Sequence, residues 1–143
     1  MLVQLTAFLL RRAVAQGESD NVTETTTMKT DINIEAHMVL SDAFLEDARG
    51  PIQAERHRVD CAFDSAYHAL LAVLTEAERP REDKRRVEVV RLACTRLDLD
   101  VETGLRQAQQ RYSPDDRDDL ACVLAWTELV RARAKQFIET NGL

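Results

Sequence analysis

The chain has 143 residues, a length that calls for one domain. Apolar residues make up 45% and charged residues 31%, with four glycines and three prolines; this excludes collagen-like, low-complexity and fully disordered classes and favours helix over turn-rich sheet. Nineteen basic against 25 acidic side chains leave a net charge of −6, which disfavours indiscriminate binding to nucleic acid or to an anionic membrane and still allows a local basic patch.

Residues 1–16 read as a short amphipathic helix, with Leu2, Leu5, Leu9 and Ala13 on one face and Gly17 as its stop. A secretory signal would carry its positive charge ahead of the apolar run, whereas Arg11 and Arg12 follow it. Residues 17–33 are rich in Thr, Asp, Glu and Asn without a core period, and read as a polar linker or arm. Residues 34–143 are then the expected bundle domain. No apolar stretch reaches the roughly 20 residues of a membrane span.

Five helices are expected in that domain. The first covers 35–48, with Val39, Leu40, Ala43, Phe44 and Ala48 inward and Gly50-Pro51 as the break. The second covers 51–77: Val59, Ala62, Phe63, Ala66, Leu70, Val73 and Leu74 recur at steps of three and four, and Pro80 ends the pattern. The third covers 82–97, with Val87, Val90, Leu92, Ala93 and Leu97 as its core. The fourth, 100–111, is weakened by Gly104. The last, 115–140, starts at Ser113-Pro114 and buries Leu120, Val123, Leu124, Ala125, Trp126, Leu129, Val130, Ala134, Phe137 and Ile138. The expectation is an all-α, up-down bundle of four to five helices, two of them long, behind an N-terminal extension.

Cys61, Cys94 and Cys122 have no metal-ligand spacing and read as reduced core thiols of a cytoplasmic protein. His57, Cys61, Asp64 and His68 fall at steps of four, three and four, a polar stripe on the second helix. A mononuclear metal could not be reached by ligands spread over so many turns, so no metal site and no cofactor are expected. Residues 79–96 carry seven basic and four acidic side chains. Either these pair along a solvated face, as Glu82 with Arg86, or Arg85, Arg86 and Arg91 form an anion or nucleic-acid patch. Tyr67 and Trp126 are the candidate walls of a small-ligand pocket. No nucleophile elbow, phosphate loop or dinucleotide fingerprint is present, and no catalytic residue is assigned.

The stretch Ser65-Ala66-Tyr67-His68-Ala69, preceded by Phe44-Leu-Glu-Asp-Ala-Arg49, resembles the core helix of HEPN-domain proteins. The resemblance spans residues 40–140 in helix order. It implies a small helical bundle that dimerises, in some members as one half of a toxin–antitoxin-like pair. Nuclease members carry Arg-x(4–6)-His late in the chain. Here Arg131 and Arg133 have no histidine after them, and Arg58 stands too far from His68. The resemblance therefore implies the scaffold without the ribonuclease activity. The leading expectation is a non-enzymatic protein acting through a homo-oligomer or a protein partner. An RNA-binding or degenerate nuclease protein using the 79–96 segment, and a small-ligand-binding bundle, are the alternatives.

Overall fold

A computed structural model describes residues 22–51, 54–80, 85–110 and 119–142, with side chains from residue 33 onward and none at 110. The described residues form five α-helices and no strand: α1 (Val22–Arg49), α2 (Glu55–Ala72), α3 (Arg85–Arg96), α4 (Val101–Gln110) and α5 (Leu120–Thr140). The expected all-α class holds. α2 is the central helix and packs on α1, α5 and α3, while α4 lies against α3. The expected helix over 1–16 and the start signal at Ser113-Pro114 lie outside the described residues, as does Glu82.

The helix bounds differ from expectation in instructive ways. α1 starts at Val22, so the polar stretch read as a linker is helical from there on. It contains neither Gly nor Pro, and a helix already nucleated propagates through such residues at little cost. α1 is thereby the longest helix, at 28 residues. It stops at Arg49, where the Gly50 amide donates back to Glu46 O at 3.0 Å. Arg58 reaches across the turn and donates from Nε to Ala48 O at 2.8 Å, closing the carbonyl end of α1.

α2 begins at Glu55 and ends at Ala72, shorter at both ends than the apolar period suggests. Val73 and Leu74 are still buried, but their amides tighten onto Leu70 O and Leu71 O. The chain then enters a 3₁₀ turn over Glu76–Glu78, held by a capping box in which Thr75 and Glu78 exchange side-chain-to-backbone bonds. Two arginines take the remaining carbonyls of α2: Arg79 Nη2 donates to Leu71 O at 3.1 Å and Arg96 Nη1 to Val73 O at 3.0 Å. Arg96 also pairs with Glu78, and that bond holds the Glu78 carboxyl down at about 2.

α3 ends in a Schellman turn. Asp98 takes a left-handed φ of 55°, its amide donates to Thr95 O and the Leu99 amide to Cys94 O at 2.8 Å. Gly104 shows why α4 tolerates a glycine: a Cβ there would stand 2.9 Å from both Cys94 Sγ and Val90 Cγ1. The glycine lets α4 approach α3 closely. α5 is capped by Asp119, which accepts from the Cys122 amide at 2.9 Å.

The main core joins Phe63, Leu70, Leu71, Val89, Val90, Cys94, Trp126 and Val130. A second cluster holds Ala48, Cys61, Ala62 and Val123. Several residues expected inside are outside: Val39 (40% exposed), Val87 (38%), Leu92 (43%) and Leu129 (47%), with Ala125 exposed as well. At 100° per residue Leu92 points about 200° from Val90, onto the far side of α3. Cys61 and Cys94 are core thiols as expected, whereas Cys122 is exposed. Burial, with Asp100 nearby, pushes the Cys94 thiol up to about 11.

Candidate functional sites

The α1–α2 seam is built from small residues and one polar clasp. Ser41 Oγ donates to Ser65 O at 2.8 Å, and Ser65 Oγ donates to Ser41 O at 2.6 Å. Both serines are fully buried. Arg131 of α5 completes the clasp: its Nη1 donates to Ser41 Oγ at 2.7 Å and its Nη2 to Asp42. Thr127 adds a second tie, donating to Ala62 O at 2.9 Å. Each polar group buried on this seam has a partner, as burial demands.

One turn along the seam, His37 of α1 meets His68 of α2. Their Nδ1 atoms are 3.1 Å apart and their rings stack at 5.3 Å between centroids. Phe44 stacks on His68 at 5.4 Å and 8°, and Tyr67 meets His68 edge-on. A bond between two Nδ1 atoms needs one ring to donate and the other to accept, so at least the accepting ring is neutral. Burial first, and then the charge of Arg79, lower both rings, to about 3 for His37 and about 4 for His68. A base held at about 4 removes protons weakly at neutral pH, so this pair is a poor acid–base catalyst.

The charges of three arginines, Arg79, Arg85 and Arg86, reach the pair. Arg86 lies over the rings of Tyr67 and Phe63, at 5.3 and 5.6 Å from their centroids. Arg79 and Arg85 each bury a guanidinium Nε that has no hydrogen-bond partner. An unsatisfied buried donor of this kind costs about 1–3 kcal/mol. Burial lowers the Arg79 pKa, and the charge of Arg85 lowers it further. Burial raises the Tyr67 hydroxyl, against the pull of Arg85, Arg86 and Arg79.

The candidates from the sequence are thus redistributed. His57 is exposed on the first turn of α2, its Nε2 3.5 Å from Cys61 Sγ. It stands about 16 Å along the helix from His68, and the polar stripe does not converge. Asp64 is half-buried beside Tyr67, whose hydroxyl it helps to raise. Arg85 and Arg86 belong to the cluster, whereas Arg91 pairs with Glu88 at 3.2 Å on the exposed side of α3, about 140° round from Arg86. The three do not form one patch. Tyr67 and Trp126 do not line a pocket either, because the Phe63 ring stacks between them at 6.2 and 6.1 Å. An open groove of about 530 Å³ lies instead between the C-terminal turn of α5 and the middle of α1, around Ile34, Met38 and Ile138. Sequence reasoning missed His37 and Arg79. His37 stands four residues before Ser41 and seven before Phe44, a helical spacing that was there to be read.

A different surface lies on α5. Cys122, Ala125, Leu129, Ala132 and Gln136 recur at steps of three, four, three and four, and all five are exposed. Asp119 is exposed at the N-terminal end of this face, and Arg133 and Lys135 towards its C-terminal end.

Among the described residues no three His, Cys, Asp or Glu side chains converge as a metal shell, and no helix is long and apolar enough to cross a membrane. No family model, curated protein or solved structure matches the chain.

Proposed function

We propose that the protein is a non-enzymatic helical module that pairs with a second copy of itself through the outward face of α5. The observation that carries this reading is the seam Cys122–Ala125–Leu129–Ala132–Gln136. Its 3-4-3-4 spacing is that of a coiled-coil contact line, four of its five positions are apolar, and every one faces solvent. Small side chains let two helices approach closely. The charges argue for an antiparallel pair. With Ala125 opposite Leu129 of the partner subunit, Cys122 falls opposite Ala132 of the partner subunit, and Asp119 flanks Arg133 of the partner subunit. A two-fold interface of this kind closes on itself and needs no other chain. The resemblance of residues 65–69 to the core helix of HEPN proteins, which usually dimerise, points the same way.

The test is the mass of the full chain in solution, by light scattering after size exclusion over a range of concentrations. The expected result is a dimer that Leu129→Arg converts to a folded monomer. An Ala132→Cys variant should form intermolecular disulfides with Cys122 on mild oxidation. A wild-type monomer at millimolar concentration would sink the proposal. So would a dimer that survives Leu129→Arg together with Ala125→Glu.

A further inference from the structure

Bonds between helices fix the register of the bundle. His37 meets His68, Ser41 meets Ser65, and the Ala48 carbonyl accepts from Arg58. α1 and α2 are therefore antiparallel, and Ala72, the last residue of α2, comes level with residue 33 or 34 of α1. Asp42 with Arg131 sets α5 in the same way, so Thr140 comes level with residue 33. Residues 22–32 of α1 thus run about 16 Å past the ends of both neighbours. The open groove lies at this step. It holds about 530 Å³ over an apolar floor of Ile34, Met38 and Ile138, with Glu35, Lys135 and Glu139 at its rim. Ile34 is nearly covered, while Met38 and Ile138 are half-buried and pack on the main core. Among the described residues the lining comes from α1, α5 and Gly142 alone.

We propose that this groove is the seat of the chain's own N-terminal segment, with residues 2–13 folded back along α1 as a helix that lays Leu2, Leu5 and Leu9 on Ile34, Met38 and Ile138. Residues 1–21 lie outside the described residues. Their length fits. Val22 is the tip of α1, about 18 Å along the helix from Ile34. Gly17 and the polar run Glu18–Asn21 suit a reversal of the chain. With Gly17 returned level with Val22, a helix climbing back from it covers the same 18 Å or so in twelve residues, and Leu5 arrives level with Ile34. The pattern fits as well. Leu2, Leu5, Leu9 and Ala13 recur at steps of three and four, the stripe by which an amphipathic helix fills an apolar groove. So does the charge. Residues 1–16 carry Arg11 and Arg12 and no acidic side chain, whereas the rim sets two carboxylates against one ammonium. The groove is distinct from the outward face of α5: Lys135 and Ile138 stand about 100° and 160° round the helix from Gln136. The docking therefore stands or falls independently of pairing.

Met38 is the reporter. The full chain has three methionines, so carbon-13 methyl labelling gives three NMR signals, which Met28→Leu and Met38→Leu assign. A nitroxide is attached at Gln4→Cys in a Cys122→Ser background, where the other two cysteines are buried. Gln4 lies on the side of the segment away from the leucine stripe, about 160° round from Leu2. The Met38 signal should lose most of its intensity relative to the same sample with the nitroxide reduced. Leu5→Asp with Leu9→Asp should restore that intensity several-fold. Both substitutions lie outside the bundle, and far-UV circular dichroism checks that the fold is kept. A Met38 signal untouched by the nitroxide would overturn the proposal, as would equal loss with and without the two aspartates. A mixture of methyl-labelled chains with spin-labelled, unlabelled-methyl chains separates the copies: loss of the Met38 signal there would give the groove to the segment of a second copy and overturn the docking within one chain.

Discussion

Replacing Gly104 by alanine tests the α3–α4 contact at a single atom. The added Cβ would lie 2.9 Å from Cys94 Sγ, 2.9 Å from Val90 Cγ1 and 3.8 Å from Trp126 Cζ2. Ordinary carbon contacts are about 3.5–4.0 Å, so two neighbours must each yield about half an ångström or more. Both are fully buried and have nowhere to go. Overpacking of this kind costs about 1–3 kcal/mol, and two simultaneous clashes place it in the upper half of that range. Alanine returns about 1 kcal/mol of helix propensity inside α4. The net expectation is a loss of about 1–2 kcal/mol, or about 4–8 °C in Tm at roughly 4 °C per kcal/mol for this length. Urea unfolding followed by fluorescence of Trp126, the sole tryptophan, gives the free energy directly. The mechanism makes a sharper demand on the double variant. With Cys94→Ala the Sγ is gone, and the new methyl occupies the space it leaves, so Gly104→Ala should then be neutral or stabilising. If Gly104→Ala is stabilising in the wild-type background, α4 does not approach α3 through this residue and the reasoning fails.

Other expectations follow from the seam and its ends. The unfolded chain takes up protons on His37 and His68 below pH 6.5, whereas in the fold they refuse them until about 3 and about 4 respectively. The stability contributed by keeping the pair neutral is therefore whole above pH 6.5 and is lost as pH falls through that window. His68 alone accounts for about 3 kcal/mol by pH 4. Urea midpoints at pH 7.5 and 4.5 measure it, and a His37→Gln, His68→Gln chain should show a flatter dependence; an equal slope would place the acid sensitivity elsewhere. Ser41→Ala should cost about 2 kcal/mol, since it removes a donor to Ser65 O and an acceptor of Arg131, and Ser65→Ala about 1 kcal/mol. The double variant should lose less than the sum, and strict additivity in urea unfolding would argue against a shared clasp. Asp98→Gly should gain up to about 1 kcal/mol by relieving a left-handed φ of 55°, and a lower Tm would contradict that account.

The periodic apolar residues identified the helices, because the 3.6-residue repeat is imposed by burial on one side. They did not identify the ends. α2 stops at Ala72 although Val73 and Leu74 remain buried, because a residue can be covered by the core without being helical. α1 begins in a stretch with no apolar period, because a helix needs packing on only part of its length. Leu92 and Leu129 were read as core because they are large and apolar, yet their angular positions put them outside. The cluster was half legible. Tyr67, His68, Arg85 and Arg86 stood out within two adjacent helices, but His37 is 31 residues from His68, and only the antiparallel packing of α1 on α2 brings such a pair together.

The order of packing around α2 also shapes how the molecule opens. α1, α2 and α5 are tied by the Ser41–Ser65–Arg131 clasp and by the Thr127 bond, whereas α3 and α4 hold chiefly to each other through the glycine approach and the Schellman turn. Transient partial unfolding should therefore release residues 85–110 as one cooperative unit while the three-helix remainder persists, and slow amide exchange should concentrate in α1, α2 and α5. Each such excursion carries Arg85 and Arg86 away from Arg79 and disperses their combined charge.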